Sequence, residues 1–347
     1  MNPQDIIKTY ARQSIDYERD SLILGFSLRG VVINHRRFDA ALTSIATLHH
    51  SQRQHQHGGG ILLYGPSGIG KSTILETYAK NFPTNNDGRQ TLTPVLMVVC
   101  PSSATANGLV SAMFDALGYP IPARTDLADK TIKLCKLIRM HKVELLLIDE
   151  FQHTYYSRSM SDFRQLVDTV KNIISTTKVA SVLVGLGESE EVICSNEQLA
   201  RRHSERIEIT TFGMNKEDFS EFRAVLKAYQ EILVIKPETP LFEANLARRF
   251  LIASDGNLDY LRRILEKSIE IAGLANLNNL NDEVYGAAFR DGIWKTVPEK
   301  LNPFHSQSLL RRLDKRGEPY YPWHSKHAIG SPLARRNISK SSGDNQL

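Results

Sequence analysis

The sequence predicts an α/β protein in which a parallel five-stranded sheet, with helices on both faces, is followed by a small all-helical domain. Three observations support this fold class. Short apolar runs typical of buried strands alternate with longer segments of helical periodicity between residues 58 and 212. A glycine-rich loop joins the first apolar run directly to a helix. Beyond Phe212 only strong helical patterns remain, so the sheet is expected to end there.

Five segments have the aliphatic composition of buried parallel strands. They are residues 61–64, 94–100, 143–150, 179–185 and 206–210. Helical spacing of apolar residues predicts helices between these strands, at residues 73–80, 107–117, 126–141 and 162–175. A further helix over residues 38–48 is expected to pack on the core. Strands that alternate with helices are typical of βαβ units, whose strands run parallel.

The chain is predicted to have four parts. Residues 1–57 form an N-terminal extension, residues 58–212 the α/β core, residues 213–292 the helical domain and residues 293–347 a basic tail that contains prolines. The predicted helices of the third part are residues 216–232, 241–254, 258–272 and 282–289. Five prolines after residue 297 argue against compact helices in the tail.

The glycine-rich loop carries the most specific motif. Its residues are Gly65, Pro66, Ser67, Gly68, Ile69, Gly70, Lys71, Ser72 and Thr73, which fit the pattern G-x-x-x-x-G-K-[ST] without a mismatch. Between a strand and a helix, the backbone N–H groups of such a loop surround a phosphate chain at the helix N-terminus. Lys71 is predicted to reach the β- and γ-phosphates and the Ser72 hydroxyl to hold Mg²⁺. We therefore expect ATP and Mg²⁺ as ligands.

The third predicted strand ends in two carboxylates, Asp149 and Glu150. Ligands of open α/β sheets lie at the carboxyl ends of the strands. Asp149 is therefore predicted to hold Mg²⁺ together with Ser72, and Glu150 to orient and polarise the water that attacks the γ-phosphate. An acidic pair at this place favours ATP hydrolysis over phosphoryl transfer to a small molecule, which needs no carboxylate to position water.

Composition excludes several classes of protein. No apolar run is long enough to span a membrane, and the first residues lack the features of a signal peptide. The three cysteines are far apart and lack CxxC spacing, which indicates reduced core residues. We therefore expect a cytoplasmic protein without membrane contact.

The formal net charge of +5 is unevenly distributed, because basic residues outnumber acidic ones mainly from Lys295 onward. A basic tail indicates nucleic acid or an acidic partner surface, or simply a solvated segment. Residues 49–57 hold four histidines among polar residues. They are interpreted as a flexible lead-in to the core strand, with metal binding as the alternative.

The order of these motifs resembles that of an AAA+ ATPase. Residues 147–153 (LIDEFQH), 184–189 (VGLGES) and 198–202 (QLARR) look like the transposition regulators TniB and TnsC, which are target-selection ATPases of Tn-seven-like bacterial elements. The resemblance covers about residues 30–275. It implies an ATP-dependent homo-oligomer, a ring or a filament on double-stranded DNA, that links a TniQ-type target selector, in some elements with a CRISPR effector, to a DDE-type transposase.

The resemblance also implies that each ATP site is completed by an arginine from the neighbouring subunit, which stabilises charge on the γ-phosphate. The family pattern places that arginine just before the fifth strand. Here Arg201 and Arg202 are the candidates, while Arg206 is equally consistent with a structural role at the start of the strand. An ordinary basic helix face is the alternative interpretation for all three.

Two features depart from the family pattern. Many AAA+ proteins sense the γ-phosphate with Asn or Thr at the end of the fourth strand. Here residues 185–189 read GLGES. Either Glu188 or Ser189 therefore senses the γ-phosphate, or the contact is absent. The lid arginine is expected near Asp259, and Arg262 and Arg263 follow about one turn later. Arg262 is the candidate for phosphate binding. Weak sensing is consistent with slow hydrolysis.

DNA contact by a ring needs cationic or hydroxyl side chains on loops that touch phosphates without reading bases. The candidates by position are Arg124, Thr125, Lys130, Arg158 and Arg164. Ordinary surface charge is the alternative. The competing function is a helicase loader or a replication initiator of the AAA+ type, which would have a dedicated DNA-binding domain or a helicase-docking segment. A nucleotide-binding module without turnover is disfavoured by Glu150.

Overall fold

The computed structural model describes residues 25–56, 58–88, 90–122 and 124–322. These residues form two compact units. The α/β unit comprises residues 36–210, and the helical unit comprises residues 25–35 together with residues 211–322.

The α/β unit alternates strands and helices. Its elements are α1 (Arg36–His55), β1 (Gly60–Tyr64), α2 (Lys71–Lys80), β2 (Asn85–Asn86), β3 (Thr91–Leu92), β4 (Val95–Val99), α3 (Ala106–Ala116), α4 (Leu127–Met140), β5 (Leu145–Asp149), a 3₁₀ turn (Phe151–Thr154), α5 (Met160–Thr177), β6 (Ala180–Gly185), α6 (Glu188–Cys194), α7 (Glu197–Arg202) and β7 (Glu205–Glu208). The short strands β2 and β3 form an antiparallel hairpin.

The five longer strands form one parallel sheet in the order β4-β5-β6-β1-β7. This confirms the predicted fold class and each of the five predicted strands. Strand β6 lies between β5 and β1, with Leu62 of β1 opposite Leu183 of β6. Because all strands run the same way, the segments that follow β1, β5 and β6 meet at one edge of the sheet, called here the carboxyl edge.

Helices cover both faces of the sheet, as the alternation of side chains along β5 shows. Leu146 and Ile148 pack into a core with α3, α4 and α5. Leu145 and Leu147 pack into a second core with α1 and α2. Every residue of β5 and β6 is buried, which explains why both strands have continuous apolar sequences rather than alternating ones.

The histidine-rich stretch is helical as far as His55, so its interpretation as a flexible lead-in was wrong for these residues. His49 is 2 % exposed. Its Nδ1 lies 2.9 Å from the Tyr78 hydroxyl and its Nε2 lies 2.8 Å from Oε2 of Glu144. Arg53 donates to the same carboxylate oxygen at 2.6 Å. These contacts attach α1 to the core. Within the described residues, no group of three or more His, Cys, Asp or Glu side chains is arranged to hold a metal ion.

The helical unit consists of α8 (Lys216–Ile232), β8 (Lys236–Pro237), α9 (Ala244–Ser254), α10 (Leu258–Leu274), β9 (Asn279–Leu280), α11 (Asp282–Gly292) and a 3₁₀ turn (Glu299–Leu301). The side chains of Asn215, Asn257 and Asn281 cap α8, α10 and α11 by accepting backbone N–H groups of the first turn. None of the described helices combines the length and apolar character that a bilayer span requires.

Segments from both ends of the described chain pack in the helical unit. Leu28 is 1 % exposed, and its backbone N–H donates to Glu266 at 2.7 Å. Near the other end Leu313 is fully buried, and Arg312 makes two hydrogen bonds to Asp255, at 2.6 and 2.8 Å. The described part of the predicted N-terminal extension is therefore divided between the units, and residues 293–322 of the predicted tail belong to the helical unit. The rest of that tail lies outside the described residues.

Candidate nucleotide-binding site

The glycine-rich loop follows β1 at the carboxyl edge and leads into α2. Gly65 has φ 155°, and a Cβ on it would lie 2.0 Å from the carbonyl oxygen of Ile209, so no other residue fits. Gly70, with φ 90°, is the N-cap residue of α2, so no N-cap side chain accepts the N–H groups of the first turn. The N-terminus of α2 therefore keeps its partial positive charge available to an anion, which fits a phosphate group.

Lys71 supplies a buried cation inside the loop. Its side chain is mostly shielded, and its Nζ donates to the carbonyl oxygens of Gly65 and Pro66 at 2.8 and 2.6 Å. Burial lowers the pKa of the Lys71 ammonium, and the nearby carboxylates of Asp149 and Glu150 oppose that shift. An ammonium that contacts only neutral oxygens at this position is well placed to exchange them for phosphate oxygens.

Ser72 and Asp149 meet at the carboxyl edge. The Ser72 hydroxyl donates to Oδ2 of Asp149 at 2.5 Å. Asp149 is 3 % exposed, and its Oδ1 accepts the backbone N–H of Glu150 at 2.8 Å. A hydroxyl and a carboxylate side by side offer the oxygen ligands that Mg²⁺ prefers. The residues present therefore fit Mg²⁺ bound together with a nucleotide.

Glu150 directly follows β5 and has an unusual backbone conformation. Its backbone is left-handed, with φ 56° and ψ 32°, which is uncommon for a residue other than glycine and is concentrated at functional sites. Its side chain is 41 % exposed. Oε2 accepts a hydrogen bond from Nε2 of Gln152 at 2.5 Å and lies 3.7 Å from Nε2 of His153. A carboxylate that reaches solvent beside the magnesium candidates is suited to polarise a water molecule.

Gln152 is the residue that sequence reasoning missed. It is 5 % exposed, and its Oε1 accepts the backbone N–H of Leu186 at 3.1 Å. The side chain thus joins the end of β5 to the turn after β6. The sequence spacing of Gln152 did not predict this contact, because the direction of its side chain depends on the left-handed backbone of Glu150.

Glu188 and Ser189 are the two residues that the sequence offered as γ-phosphate sensors. Oε1 of Glu188 accepts the hydroxyl of Tyr156 at 2.9 Å. Ser189 is fully buried, and its hydroxyl has no hydrogen-bond partner within the described part of the chain. The polar side chain that contacts this turn from the β5 side is instead that of Gln152.

The candidate arginines lie at the opposite edge of the sheet from the glycine-rich loop of the same chain. Arg202 donates to the carbonyl oxygen of Gly58 at 3.4 Å, just before β1 begins, and Arg201 is exposed beside it on α7. The loop follows the far end of β1, a strand of 5 residues that spans about 16 Å. The structure therefore does not bring these arginines to the phosphate loop of their own chain. The third candidate, Arg206, has its Nε 3.7 Å from Oε1 of Glu190.

His203 fixes the end of α7 to the sheet. It is fully buried, with Nδ1 3.0 Å from the carbonyl oxygen of Leu199 and Nε2 2.9 Å from the Ser181 hydroxyl. Since a carbonyl only accepts, Nδ1 carries the proton and Nε2 accepts from Ser181. Burial lowers the pKa of His203 to about 4, so the ring is neutral.

Arg262 lies on α10 in the helical unit, with its charge balanced by two carboxylates. It contacts Asp259 at 2.6 Å and Glu266 at 2.5 Å. Arg263, the alternative, contacts the same Asp259 at 2.8 Å and is 52 % exposed. The aspartate at the position expected for the lid arginine therefore holds both candidates. The assignment of Arg262 to phosphate binding stays a prediction.

The DNA candidates occupy the starts of two helices that pack together at the carboxyl edge. Arg124 and Thr125 precede α4, and Lys130 in its first turn donates to Asn107 at the start of α3 with a distance of 2.9 Å. Arg158 and Arg164 flank the start of α5 and are exposed, as is Arg124. The structure thus collects these side chains at one end of the α/β unit, with Thr125 and Lys130 partly buried. Their DNA contacts stay predictions.

Comparison with solved structures shows the fold. The structure is similar to Cdc6p from Pyrobaculum aerophilum, with a TM-score of 0.58, 12 % identity and coverage of 78 % of this chain and 71 % of that one. It is also similar to Aeropyrum pernix ORC2 in its ADPNP–ADP complexes, with a TM-score of 0.55, 15 % identity and coverage of 75 % and 68 %. These likenesses and the strand order establish the AAA+ type of P-loop fold.

Sequence comparison gives the family. The model of the bacterial TniB protein family matches residues 27–212, which is more than half of the chain. A search of curated proteins gave no match.

Proposed function

This chain belongs to the bacterial TniB family, and we propose that it is an ATP-dependent regulator of DNA transposition. It oligomerises on double-stranded DNA in its ATP-bound form. There it links a TniQ-type target selector to a DDE-type transposase, and slow hydrolysis of ATP to ADP and phosphate limits the lifetime of the assembly. The contact between Ser72 and Asp149 at the start of α2 and the end of β5 is the observation that carries the proposal.

Nucleotide binding follows from the loop and the helix behind it. Within the loop of residues 65–73, the backbone N–H groups that follow Pro66, together with the N-terminus of α2, bind the phosphate chain. Lys71 exchanges its two carbonyl contacts for oxygens of the β- and γ-phosphates. Ser72 and Asp149 would hold Mg²⁺, which when bound supplies positive charge to the phosphates.

Hydrolysis is assigned to Glu150. Its partly exposed carboxylate lies one residue beyond Asp149, so a water near the γ-phosphate is within its range. The carboxylate orients that water and accepts its proton as the water attacks phosphorus. Without Glu150 the phosphates still bind, because the loop, Lys71 and Asp149 are unchanged.

The position of the arginines supports an oligomer. Arg201 and Arg202 lie across the sheet from their own loop, so within one chain they cannot stabilise charge on the γ-phosphate. A head-to-tail neighbour supplies them instead, which makes the ATP site a shared site between subunits and makes assembly depend on ATP.

DNA binding is assigned to the cationic and hydroxyl side chains at the carboxyl edge. Arg158 and Arg164 are exposed, with Arg124, Thr125 and Lys130 at the start of the adjoining helix α4. Contacts of this kind go to phosphates and carry no sequence information. Target choice therefore falls to the partner selector.

The alternative, a helicase loader or initiator, predicts a dedicated DNA-binding domain or a helicase-docking segment. Described residues 293–322 contain a single 3₁₀ turn and no α-helix, and they pack in the helical unit. The match of residues 27–212 to the TniB family model supports the transposition regulator over this alternative.

The test of hydrolysis compares the wild type with Glu150→Gln, with and without duplex DNA. We expect wild-type turnover that DNA stimulates, and in the variant unchanged ATP binding with turnover lower by about 100-fold or more. Exposed Glu76, on α2 in the same unit, provides a matched control as Glu76→Gln. Equal turnover in the wild type and Glu150→Gln would contradict the assignment of a hydrolytic role.

A further inference from the structure

We propose that Gln152 is a positioning residue that orients Glu150 for water activation and couples it to the glycine-rich loop through the turn after β6. The inference rests on the ATP hydrolysis proposed above and assigns a role to a residue that lies within the motif at residues 147–153 but had been given no role.

The first argument is that both ends of the Gln152 side chain are engaged. Nε2 donates to the Glu150 carboxylate at 2.5 Å, and Oε1 accepts the N–H of Leu186 at 3.1 Å. The opposite orientation of the amide would place its oxygen against a carboxylate and its NH₂ group against an N–H donor, so the assignment is chemically determined. Because the side chain is 5 % exposed, breaking either bond would leave a buried polar group without a partner, which is costly.

The second argument is that Glu150 needs an external support. Its side chain is 41 % exposed, and solvent alone would leave it many rotamers. The other neighbour, His153, lies beyond hydrogen-bond distance at 3.7 Å, with its Nδ1 held by the carbonyl oxygen of Cys100 at 2.9 Å. Gln152 engages Oε2 and leaves Oε1 for a water molecule.

The third argument is a continuous set of contacts from the phosphate loop to Glu150. The N–H of Gly65 donates to the carbonyl oxygen of Gly185 at 3.2 Å. The next residue, Leu186, donates to Gln152, which donates to Glu150. A displacement of the loop by bound phosphates is therefore transmitted to the hydrolytic carboxylate over three hydrogen bonds and one peptide unit.

The turn after β6 is built to admit this side chain. A Cβ on Gly185 would lie 2.4 Å from Oε1 of Gln152 and 2.2 Å from the Ser189 hydroxyl. Both contacts are shorter than side chains allow, so glycine is required for Gln152 to reach Leu186. The turn has no Asn or Thr of its own, and the polar side chain that reaches it is that of Gln152, which follows β5.

The experiment separates binding from turnover in Gln152→Met and Gln152→Glu. Methionine keeps the length and volume and loses both hydrogen bonds. Glutamate keeps an acceptor for Leu186 but cannot donate to Glu150 when ionised. The control is Gln54→Met, at an exposed position of α1. Affinity for ATP with Mg²⁺ is measured by titration with a fluorescent ATP analogue, and kcat by phosphate release.

We expect both Gln152 variants to bind the nucleotide with a dissociation constant within about 2-fold of the wild type, because the loop is intact. Their kcat falls by at least about 10-fold, the effect of losing one hydrogen bond to a charged group. The Gln54→Met control keeps the wild-type kcat.

If the wild type hydrolyses ATP and Gln152→Met has the same kcat, this inference is overturned while the proposed function stands. Wild-type kcat in Gln152→Glu overturns it as well, because the tie to Leu186 would then suffice. A variant that loses kcat and nucleotide binding together indicates a merely structural role and also contradicts the inference. A wild type that binds ATP without turnover overturns the proposed function, and the inference falls with it.

Discussion

The Ser72 hydroxyl donates a 2.5 Å hydrogen bond to the Asp149 carboxylate across 77 residues of sequence. The contact joins the glycine-rich loop to the end of β5, and β6 lies between β1 and β5 in the sheet. Two sequence motifs that were recognised separately therefore form one site. Their oxygens are adjacent, as a shared magnesium ion requires.

The first prediction concerns this pair. Ser72→Ala and Asp149→Asn remove a hydroxyl and a negative charge from the proposed magnesium site. We expect each to weaken the contribution of Mg²⁺ to nucleotide affinity by roughly 10-fold to 100-fold. Dissociation constants for ATP measured in Mg²⁺ and in EDTA give that contribution directly. Ser51→Ala, at an exposed position of α1, is the control. An undiminished magnesium effect in Asp149→Asn would contradict the assignment.

The second prediction concerns the arginines and their neighbours. Arg201→Ala or Arg202→Ala is expected to lower turnover by at least about 100-fold, since an arginine finger contributes strongly to phosphoryl transfer. Exposed Arg248 of the helical unit serves as the control in the variant Arg248→Ala.

Mixing distinguishes action within a chain from action between chains. An inactive arginine variant keeps Glu150, and inactive Glu150→Gln keeps both arginines. An equal mixture is expected to recover up to about a quarter of wild-type turnover, because that share of head-to-tail interfaces joins an intact site to an intact arginine. No recovery in mixed assemblies would show that the arginine does not act between subunits.

The third prediction concerns His203 and pH. Its pKa is lowered from 6.5 to about 4 by burial, so between these values the unfolded chain binds a proton that the folded chain does not. The free energy of unfolding therefore decreases as pH falls from 6.5 to 4, by about 3 kcal/mol from this residue alone. His49 and His141, whose pKa values are also lowered by burial, act in the same direction.

Urea unfolding at about pH 7 and at about pH 4 measures this loss. His203→Gln removes the titrating group and should show a smaller loss than the wild type. His50→Gln, at an exposed position of α1, should keep the wild-type loss. An identical loss in His203→Gln would mean that this ring is not the buried neutral histidine described here.

The fourth prediction concerns DNA. If Arg158 and Arg164 contact phosphates, Arg158→Ala and Arg164→Ala will each weaken duplex binding equally for unrelated sequences. Each substitution should also reduce the slope of log affinity against log salt by about 1. Binding is measured with ATP present over a range of salt concentrations, and Arg248→Ala is the control variant. A slope that none of the candidate variants changes would place the DNA site elsewhere.

Local patterns were sufficient to predict the sheet. The strand at residues 143–150 was predicted because β5 is buried on both faces and is therefore aliphatic throughout. The loop at residues 65–73 was predicted because left-handed turns and close backbone approach demand glycine at fixed spacings, as Gly65 shows. Lys71, Ser72 and Asp149 followed from those two motifs.

These local patterns could not predict contacts between segments that are distant in the sequence. The burial of the His49 side chain depends on its contacts with Tyr78 and Glu144, which follow far along the chain. The link between Gln152 and Leu186 depends on strand order and on the conformation of Glu150. The prolines argued against compact helices in the tail, and described residues 293–322 contain no α-helix, but nothing in the spacing predicted that Leu313 is fully buried. None of these partners is specified by spacing alone.

The central claim is that ATP held by the glycine-rich loop controls assembly on DNA, and sedimentation of the wild type and Lys71→Ala with duplex DNA tests it most directly. With ATP and Mg²⁺ the wild type should sediment as large DNA-bound oligomers, and without nucleotide it should not. Lys71→Ala should remain unassembled in both conditions. Assembly of Lys71→Ala to the wild-type extent, or equal assembly of the wild type without nucleotide, would contradict the claim.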